Sequence, residues 1–498
     1  MNKAFVFPYF VCLSIPICYK NVNLNFYFLI KLNNSLFGAI IFIIDKFSIF
    51  IEFFEILNFS LFAEKYIGGK MLQDIKFKFI LGLLVSSAMI LAVACSSDTP
   101  EPTPAPAPTA EPTAEPTAEP TAEPTAEPKT IEKFGMILVG PRDDKGWSQA
   151  HFEGGEAIEK AMGAEMIVAD FINPADSPNT TVAQVAADMI DQGAELIFAT
   201  SDDMKDGILE AAAAHPEIPM IWSSGDSAFA DGKGYKPELE NLGNIMGQME
   251  FGKYMAGCAA ASESKSGNIG FLGPLINDET RRLTNAAYIG ARDCWVDKGN
   301  SITDLNFEVI WIGFWFHIPG VTLDPTTVVN DFYDSGVDVV ISHIDTPEAL
   351  TVTDQRAADG EDVLVVGYDY ENSCDVAPSV CIGVPYFNWG PSYVEAAENV
   401  ANDTFSAEWT WVAPKLENGV TLEDSMVGFK SGDAMSSETS ERVSKFASEL
   451  DGIASIFTGP INYQDGTVMS EDGSTPSLYD IWYTSQLLEG MTGDSGGN

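Results

Sequence analysis

Phe134-Gly-Met-Ile-Leu-Val139 and, directly after it, Gly140-Pro-Arg-Asp-Asp-Lys-Gly-Trp147 decide the fold of this chain. The first is an apolar run of strand length, the second is turn chemistry, and residues 147–162 beyond them read as an amphipathic helix. The unit recurs. Apolar runs rich in Ile, Val and Phe stand at 164–172, 194–200 and 218–222, and again at 267–272, 307–314, 337–344 and 363–368. Amphipathic stretches such as 181–192 and 204–214 lie between them. Repeated βαβ units demand parallel sheets with helices on both faces, because each strand is then buried on two sides. About 370 residues of this texture are too many for one such core and suit two doubly wound α/β lobes.

Upstream the texture changes. Met71-Leu-Gln-Asp-Ile-Lys-Phe-Lys-Phe79 precedes an uncharged run, 80–94, that ends in Leu91-Ala-Val-Ala before Cys95. Positive charge, a short apolar run, small residues and then Cys resemble a bacterial lipoprotein signal over 71–94, with Cys95 as the lipidated residue that anchors the chain to a membrane. The run is shorter than the roughly 20 residues of a membrane-spanning helix. Residues 95–130 include five Thr-Ala-Glu-Pro units (109–128), and Pro at every fourth place excludes helix and sheet and leaves an extended linker. Residues 1–70, rich in Phe, Ile, Asn and Lys and without periodicity, read as a mis-translated upstream segment. Ile67-Gly-Gly-Lys70 can be encoded by a purine-rich ribosome-binding sequence directly before Met71. An extra membrane-embedded domain is the alternative, although Asp45, Lys46, Glu52 and Glu55 interrupt its apolar runs.

The formal net charge of −45 repels polyanions, so a nucleic-acid partner is excluded. Beyond Cys95 stand Cys258, Cys294, Cys374 and Cys381, whose spacings fit no CxxC motif. In an oxidising compartment they permit three disulfide connectivities, of which Cys258–Cys294 with Cys374–Cys381 is expected. The four histidines lack metal-ligand spacing and no nucleophile–base pair is recognisable, so no metal, cofactor or catalysis is expected.

In open α/β sheets, ligands bind beyond the carboxyl ends of the strands. Those ends read 140–147, Ser201-Asp-Asp203 and Ser223-Ser-Gly225 in the first block. In the second they read Gly273-Pro-Leu275, Trp315-Phe-His317, Asp345-Thr-Pro347 and Asp369-Tyr-Glu371. Enrichment in Trp, Asp, Ser and Thr is what a polar aromatic ligand requires: flat faces for stacking, with acceptors and donors around its edge.

Val139-Gly-Pro141, Asp144-Lys-Gly-Trp-Ser-Gln-Ala-His151-Phe-Glu-Gly154, Phe198-Ala-Thr-Ser201 and Tyr254-Met-Ala-Gly257 occur in that order. They are followed by Ile269-Gly-Phe-Leu-Gly273, Ile341-Ser-His-Ile-Asp345-Thr-Pro347, Gly367-Tyr-Asp369, Asn388-Trp-Gly390 and Phe457-Thr-Gly-Pro460. Together they resemble the basic membrane protein (BMP) family, lipoprotein binding components of ABC importers related to purine nucleoside receptors. The resemblance implies a type I periplasmic-binding-protein fold whose lobes are joined by three hinge crossings, near Asn244, Pro385 and Val427. Lobe 1 would then span 131–245, completed by about 386–427, and lobe 2 would span 246–385, completed by about 428–490. It further implies capture of a purine nucleoside or nucleobase between closing lobes and delivery to ABC permease subunits in the membrane.

Within that frame Trp147 is the candidate stacking face and His151, one helical turn on, shares its side of the helix; core packing is the alternative for both. Asp144 either accepts from a ligand or caps the helix that follows. Gly146, Ser201, Asp202 and Gly225 complete the first-lobe candidates. Asp345 and Asp369 suit ribose hydroxyls or a purine N–H, or else are turn residues. Trp315 and Trp389 are candidates for the opposite ring face, or for packing. A same-fold receptor for a sugar or signalling molecule, or an adhesin-type surface lipoprotein, are the competing functions.

Overall fold

The first sheet begins with the strand that the opening residues predict. In the computed structural model, which describes residues 129–496 together with five strands between residues 4 and 52, β1 (Lys133–Ile137) leads through the turn at 140–146 into α1 (Trp147–Met162). There follow β2 (Glu165–Ala169), α2 (Val182–Asp191), β3 (Ile197–Ala199), α3 (Lys205–Ala214), β4 (Met220–Ser223) and β5 (Leu242–Gly247). The chain then crosses to a second sheet. Its elements are α4 (Met249–Glu263), β6 (Asn268–Gly273), α5 (Asp278–Asp297), β7 (Asn306–Trp311), α6 (Pro325–Asp334), β8 (Val339–Ser342), α7 (Glu348–Ala358), β9 (Leu364–Val366) and β10 (Cys381–Phe387). It returns for α8 (Gly390–Ala401) and β11 (Trp409–Val412), then crosses again into β12 (Val427–Ser431), α9 (Ser437–Glu449) and β13 (Met491–Thr492).

Strand order in the first sheet is β11-β5-β4-β3-β1-β2, every pair parallel. The second reads β12-β10-β9-β8-β6-β7-β13, parallel except for the antiparallel edge pair β10/β12. Two lobes that each carry the order 2-1-3-4-5, with β13 added outside it in lobe 2, and that are each completed by a strand returning from the other constitute the type I periplasmic-binding-protein architecture. The strands run on past Asn244 and Pro385, so the first two crossings fall after Gly247 and after Phe387. The third occupies the stretch between Val412 and Val427.

Lobe 2 shows how the sequence permits its own packing. Helix α4 is buried along nearly its whole length and lies against α5. A Cβ on Gly257 would fall 1.8 Å from the carbonyl oxygen of Ala287, and one on Gly290 would fall 2.0 Å from that of Tyr254, so the two helices touch backbone to backbone. The disulfide Cys258–Cys294 and the buried pair Arg282 Nε to Glu250 Oε1, 2.7 Å, tie the same helices. Cys374–Cys381 is the second disulfide.

Residues 1–70, in which the sequence reading finds no periodicity, hold an antiparallel meander of Ala4–Phe7, Phe10–Tyr19, Val22–Lys31, Gly38–Ile44 and Phe47–Glu52. Runs rich in Ile, Val and Phe favour strands even without alternation. The expected signal at 71–94, Cys95 and the repeat at 109–128 lie outside the described residues. No helix among the described residues is long and apolar enough to cross a membrane.

Candidate functional site

A small cavity of about 20 Å³ lies where the carboxyl ends of the two sheets face each other. Trp147, Ser201, Asp202 and Ser224 line it from lobe 1, and Glu279, Trp315, Asp345, Tyr368 and Asp369 from lobe 2. It adjoins a wider hollow of about 260 Å³ through the shared residues Asp202, Ser224 and Glu279. At its wall the lobes touch: a Cβ on Gly146 would lie 1.8 Å from the Asp345 carbonyl oxygen, so only glycine allows this approach.

Trp147 lines the cavity with the little surface it retains, 8% of the residue. Its indole N–H is committed to the Thr200 carbonyl at 2.5 Å, and its ring meets Phe387 and Trp389 edge-on at 5.4 and 5.5 Å. The residue is therefore wall and packing at once. Ser201 is buried at the cavity and Asp202 stands at its exposed side. On lobe 2, Trp315 is half-buried in the loop after β7, and its carbonyl accepts from the Asp345 N–H at 3.0 Å.

Five residues expected in the site do not line it. Asp144 turns its carboxylate to the N–H groups of Gly146, Ser148 and Gln149 at 2.9, 2.9 and 3.0 Å, which makes it the cap of α1. His151 is fully buried and lies 2.7 Å from the Tyr393 hydroxyl through Nδ1; burial pushes its pKa well below the ordinary value, so the ring is neutral. Trp389 is likewise fully buried, stacked on His151 at 4.1 Å and on Phe387 at 5.0 Å. Gly225 packs under the Trp222 ring, leaving no room for a Cβ, and its neighbour Ser224 faces the cavity instead. Gly146 serves the lobe contact. Helix α1 turns the face carrying His151 toward Trp389 and Tyr393 at the start of α8, not toward the cleft.

Ser224, Glu279 and Tyr368 were not singled out from the sequence. Ser224 has φ of 69° and a buried hydroxyl without a partner. It stands within the Ser223-Ser-Gly225 strand end, so its signal was present. Tyr368 immediately precedes Asp369. Glu279 lies in the first turn of α5, past the end of β6, where only the fold shows that the turn bends back to the cleft.

The lining is acidic. Burial pushes Glu279 up to about 7, with Arg282 opposing and Asp202 and Glu250 reinforcing the shift. Burial also raises Asp345 and Asp369 well above the ordinary carboxylate range, and their neighbours Asp144 and Glu279 add to this. Asp369 is fully buried with φ of 64°, and neither carboxylate oxygen meets a hydrogen-bond partner. Its backbone is held, since Phe387 N–H donates to the Asp369 carbonyl at 3.0 Å. The arrangement offers flat aromatic faces and a set of acceptors to whatever enters.

Residues 131–301 match the family described as ABC transporter substrate-binding protein PnrA-like, Bmp. The chain is 26% identical to a purine-binding protein of Brucella abortus over 337 residues, which cover 67% of this chain and 85% of the relative. It is 25% identical to a putative ABC transporter glucose-binding protein of Haloferax volcanii over 292 residues, 58% of this chain and 65% of the relative. Among solved structures, a solute-binding protein of an ABC transporter system from Conexibacter woesei aligns with a TM-score of 0.46 and 18% identity, covering 64% of this chain and 95% of that one. Over residues 131–301 the chain is thus similar to the Bmp family, the PnrA-like substrate-binding proteins of ABC transporters.

Proposed function

We propose that this substrate-binding protein captures a purine nucleoside or nucleobase outside the cytoplasm and delivers it to ABC permease subunits. The carrying observation is the interlobe cavity where Trp147, Trp315 and Tyr368 supply aromatic surface and Asp345, Asp369 and Glu279 supply acceptors. A purine has two flat faces and an edge of N–H donors, and a nucleoside adds hydroxyls; each meets a complementary group here. The Brucella relative, named a purine-binding protein, supports the same reading. Nothing in the mechanism requires chemistry on the solute: ligand contacts from both lobes stabilise the closed arrangement, which the permease then recognises. Cys95, as the lipid-bearing residue, would hold the protein at the membrane, and Cys95→Ser should release it into the soluble fraction. Retention of that variant in the membrane would overturn the anchor.

A sugar is the second reading, favoured by the Haloferax relative named as glucose-binding and by the fit of carboxylates and indoles to sugar hydroxyls and ring faces. Thermal melting of the protein with adenosine, guanosine, inosine, adenine, ribose and glucose separates the two. The purine reading expects the first four to raise the melting temperature and ribose alone not to do so. A shift by glucose or ribose without one by any purine would replace it with the sugar reading.

A further inference from the structure

Tyr483 lies outside the cavity, yet through it the end of the chain reaches across to the other lobe. Its segment, the short helix Leu478–Trp482 and the residues after it, belongs to lobe 2. Arg281 Nε donates to the Thr484 carbonyl at 2.8 Å and Asn285 Nδ2 to that of Gln486 at 2.9 Å, which fastens the segment to α5. Farther on, β13 pairs with β7. The Tyr483 side chain, however, meets lobe 1: its hydroxyl donates to Asp226 Oδ2 at 2.5 Å and accepts from the Lys233 N–H at 2.6 Å. Both partners stand on the loop between β4 and β5, which is itself fixed to lobe 1. Asn244 Oδ1 accepts from the Ala228 N–H at 2.7 Å, and the Phe229 ring stacks on Trp409 of β11 at 4.0 Å. The loop is shaped for the phenol, since a Cβ on Gly232 would lie 2.7 Å from its oxygen. The Lys233 ammonium lies 4.2 Å from the centroid of the same ring and 3.6 Å from Asp278 Oδ2 at the start of α5.

We infer that Tyr483 is a positioning residue for retention of the solute: with Asp226 and Lys233 it forms a clasp between the lobes that favours the closed arrangement and must release for solute to enter or leave. All of the clasp's bonds join protein groups, so it acts independently of any contact with the solute. Asp226, Lys233 and Tyr483 line the hollow that adjoins the cavity, and the clasp therefore closes that flank of the site. The cavity itself has room for about one water molecule, so a solute reaches Asp345 and Asp369 only when the lobes part. A phenol donating to a carboxylate makes a charge-assisted bond, stronger than a neutral one, whereas the exposed Lys233–Asp278 pair adds little. The clasp thus shifts the balance of open and closed arrangements, which solute contacts then complete. The inference rests on the cavity being the solute site, but not on the solute being a purine.

Release of bound adenosine from the full chain, followed by stopped-flow fluorescence, tests it. Tyr483→Phe keeps the ring and its contact with the Lys233 ammonium and deletes only the hydroxyl, while Asp226→Asn alters the acceptor on the other lobe. Each variant should release adenosine about tenfold faster than the wild type, because loss of an interface bond is felt chiefly in the dissociation rate. The double variant should release it little faster than either single one, since both substitutions remove the same bond. Dissociation at the wild-type rate overturns the inference, and so do single effects that multiply in the double variant. A lower melting temperature with an unchanged dissociation rate also overturns it and leaves Tyr483 as packing for the end of the chain. If Tyr483→Phe fails to fold, Asp226→Asn decides by itself. Glucose replaces adenosine as the probe if only glucose binds the wild type. If neither binds, the purine and sugar readings fail by themselves, and small-angle scattering of the free proteins decides on the clasp. A larger radius of gyration for Tyr483→Phe than for the wild type then supports it, and an equal one overturns it.

Discussion

Trp147 does two things with one side chain, and substitutions separate them. Trp147→Ala removes a buried ring that packs on Phe387 and Trp389, so it should lower stability by about 3–5 kcal/mol, with any loss of affinity confounded by unfolding. Trp147→Phe keeps an aromatic wall and strands only the Thr200 carbonyl, for about 1 kcal/mol or somewhat more. Chemical denaturation and calorimetric titration of both variants check this; an Ala variant that stays folded and binds adenosine normally would remove Trp147 from the site. Glu279 gives a pH prediction of definite sign. Its carboxyl is held at about 7, above an ordinary value of 4.5, so the folded state binds its proton more tightly than the unfolded state does. Stability from this group is present below the ordinary value and is lost as pH rises through the folded one. Glu279→Gln should accordingly flatten the fall in melting temperature between about pH 5 and about pH 8. An unchanged slope would mean that the carboxyl is solvated.

The turn between β1 and α1 is an element whose geometry serves both fold and closure. Asp144 caps the helix, Lys145 takes a positive φ of 64°, and Gly146 meets the Asp345 carbonyl of the other lobe. Gly146→Val leaves the helix start intact but inserts atoms where the lobes touch. It should weaken solute binding by at least about tenfold, or 1.4 kcal/mol, while changing the melting temperature of the free protein little. Titration and melting of the same variant check both halves; normal affinity would show that the contact is dispensable for closure. Helices α4 and α5 give the contrasting case, where glycine serves packing alone. Gly290→Ala should destabilise the free protein by about 1–3 kcal/mol or more, because its Cβ meets backbone that cannot move aside. Circular dichroism against denaturant measures it.

For the whole molecule, closure over a solute stabilises the folded state by about 2.7 kcal/mol at a hundredfold excess over Kd. Small-angle scattering should show compaction with adenosine, and Gly146→Val should not compact. A radius of gyration unchanged by a bound ligand would count against lobe closure. Much of this architecture was legible along the chain, because buried parallel strands are short and apolar and the helices between them keep one apolar face, so βαβ order survives in the residue pattern. Strand ends were legible for the same reason, and they named Trp147, Ser201, Asp202, Trp315, Asp345 and Asp369, all of which line the cavity. What the pattern could not carry was the direction of each side chain relative to the opposite lobe. A one-residue difference separates Ser224 from Gly225, and one helical turn separates Trp147 from His151; both choices depend on backbone twist and on what packs behind. Glu279 lies far from the other cavity residues in sequence, and only the approach of α5 to the second sheet places it at the cavity. The order of secondary elements is a local property, determined by turn chemistry and hydrophobic period. Which carboxylate is left buried without a partner is decided by non-local packing, because burial and electrostatic neighbours exist only once the lobes have formed.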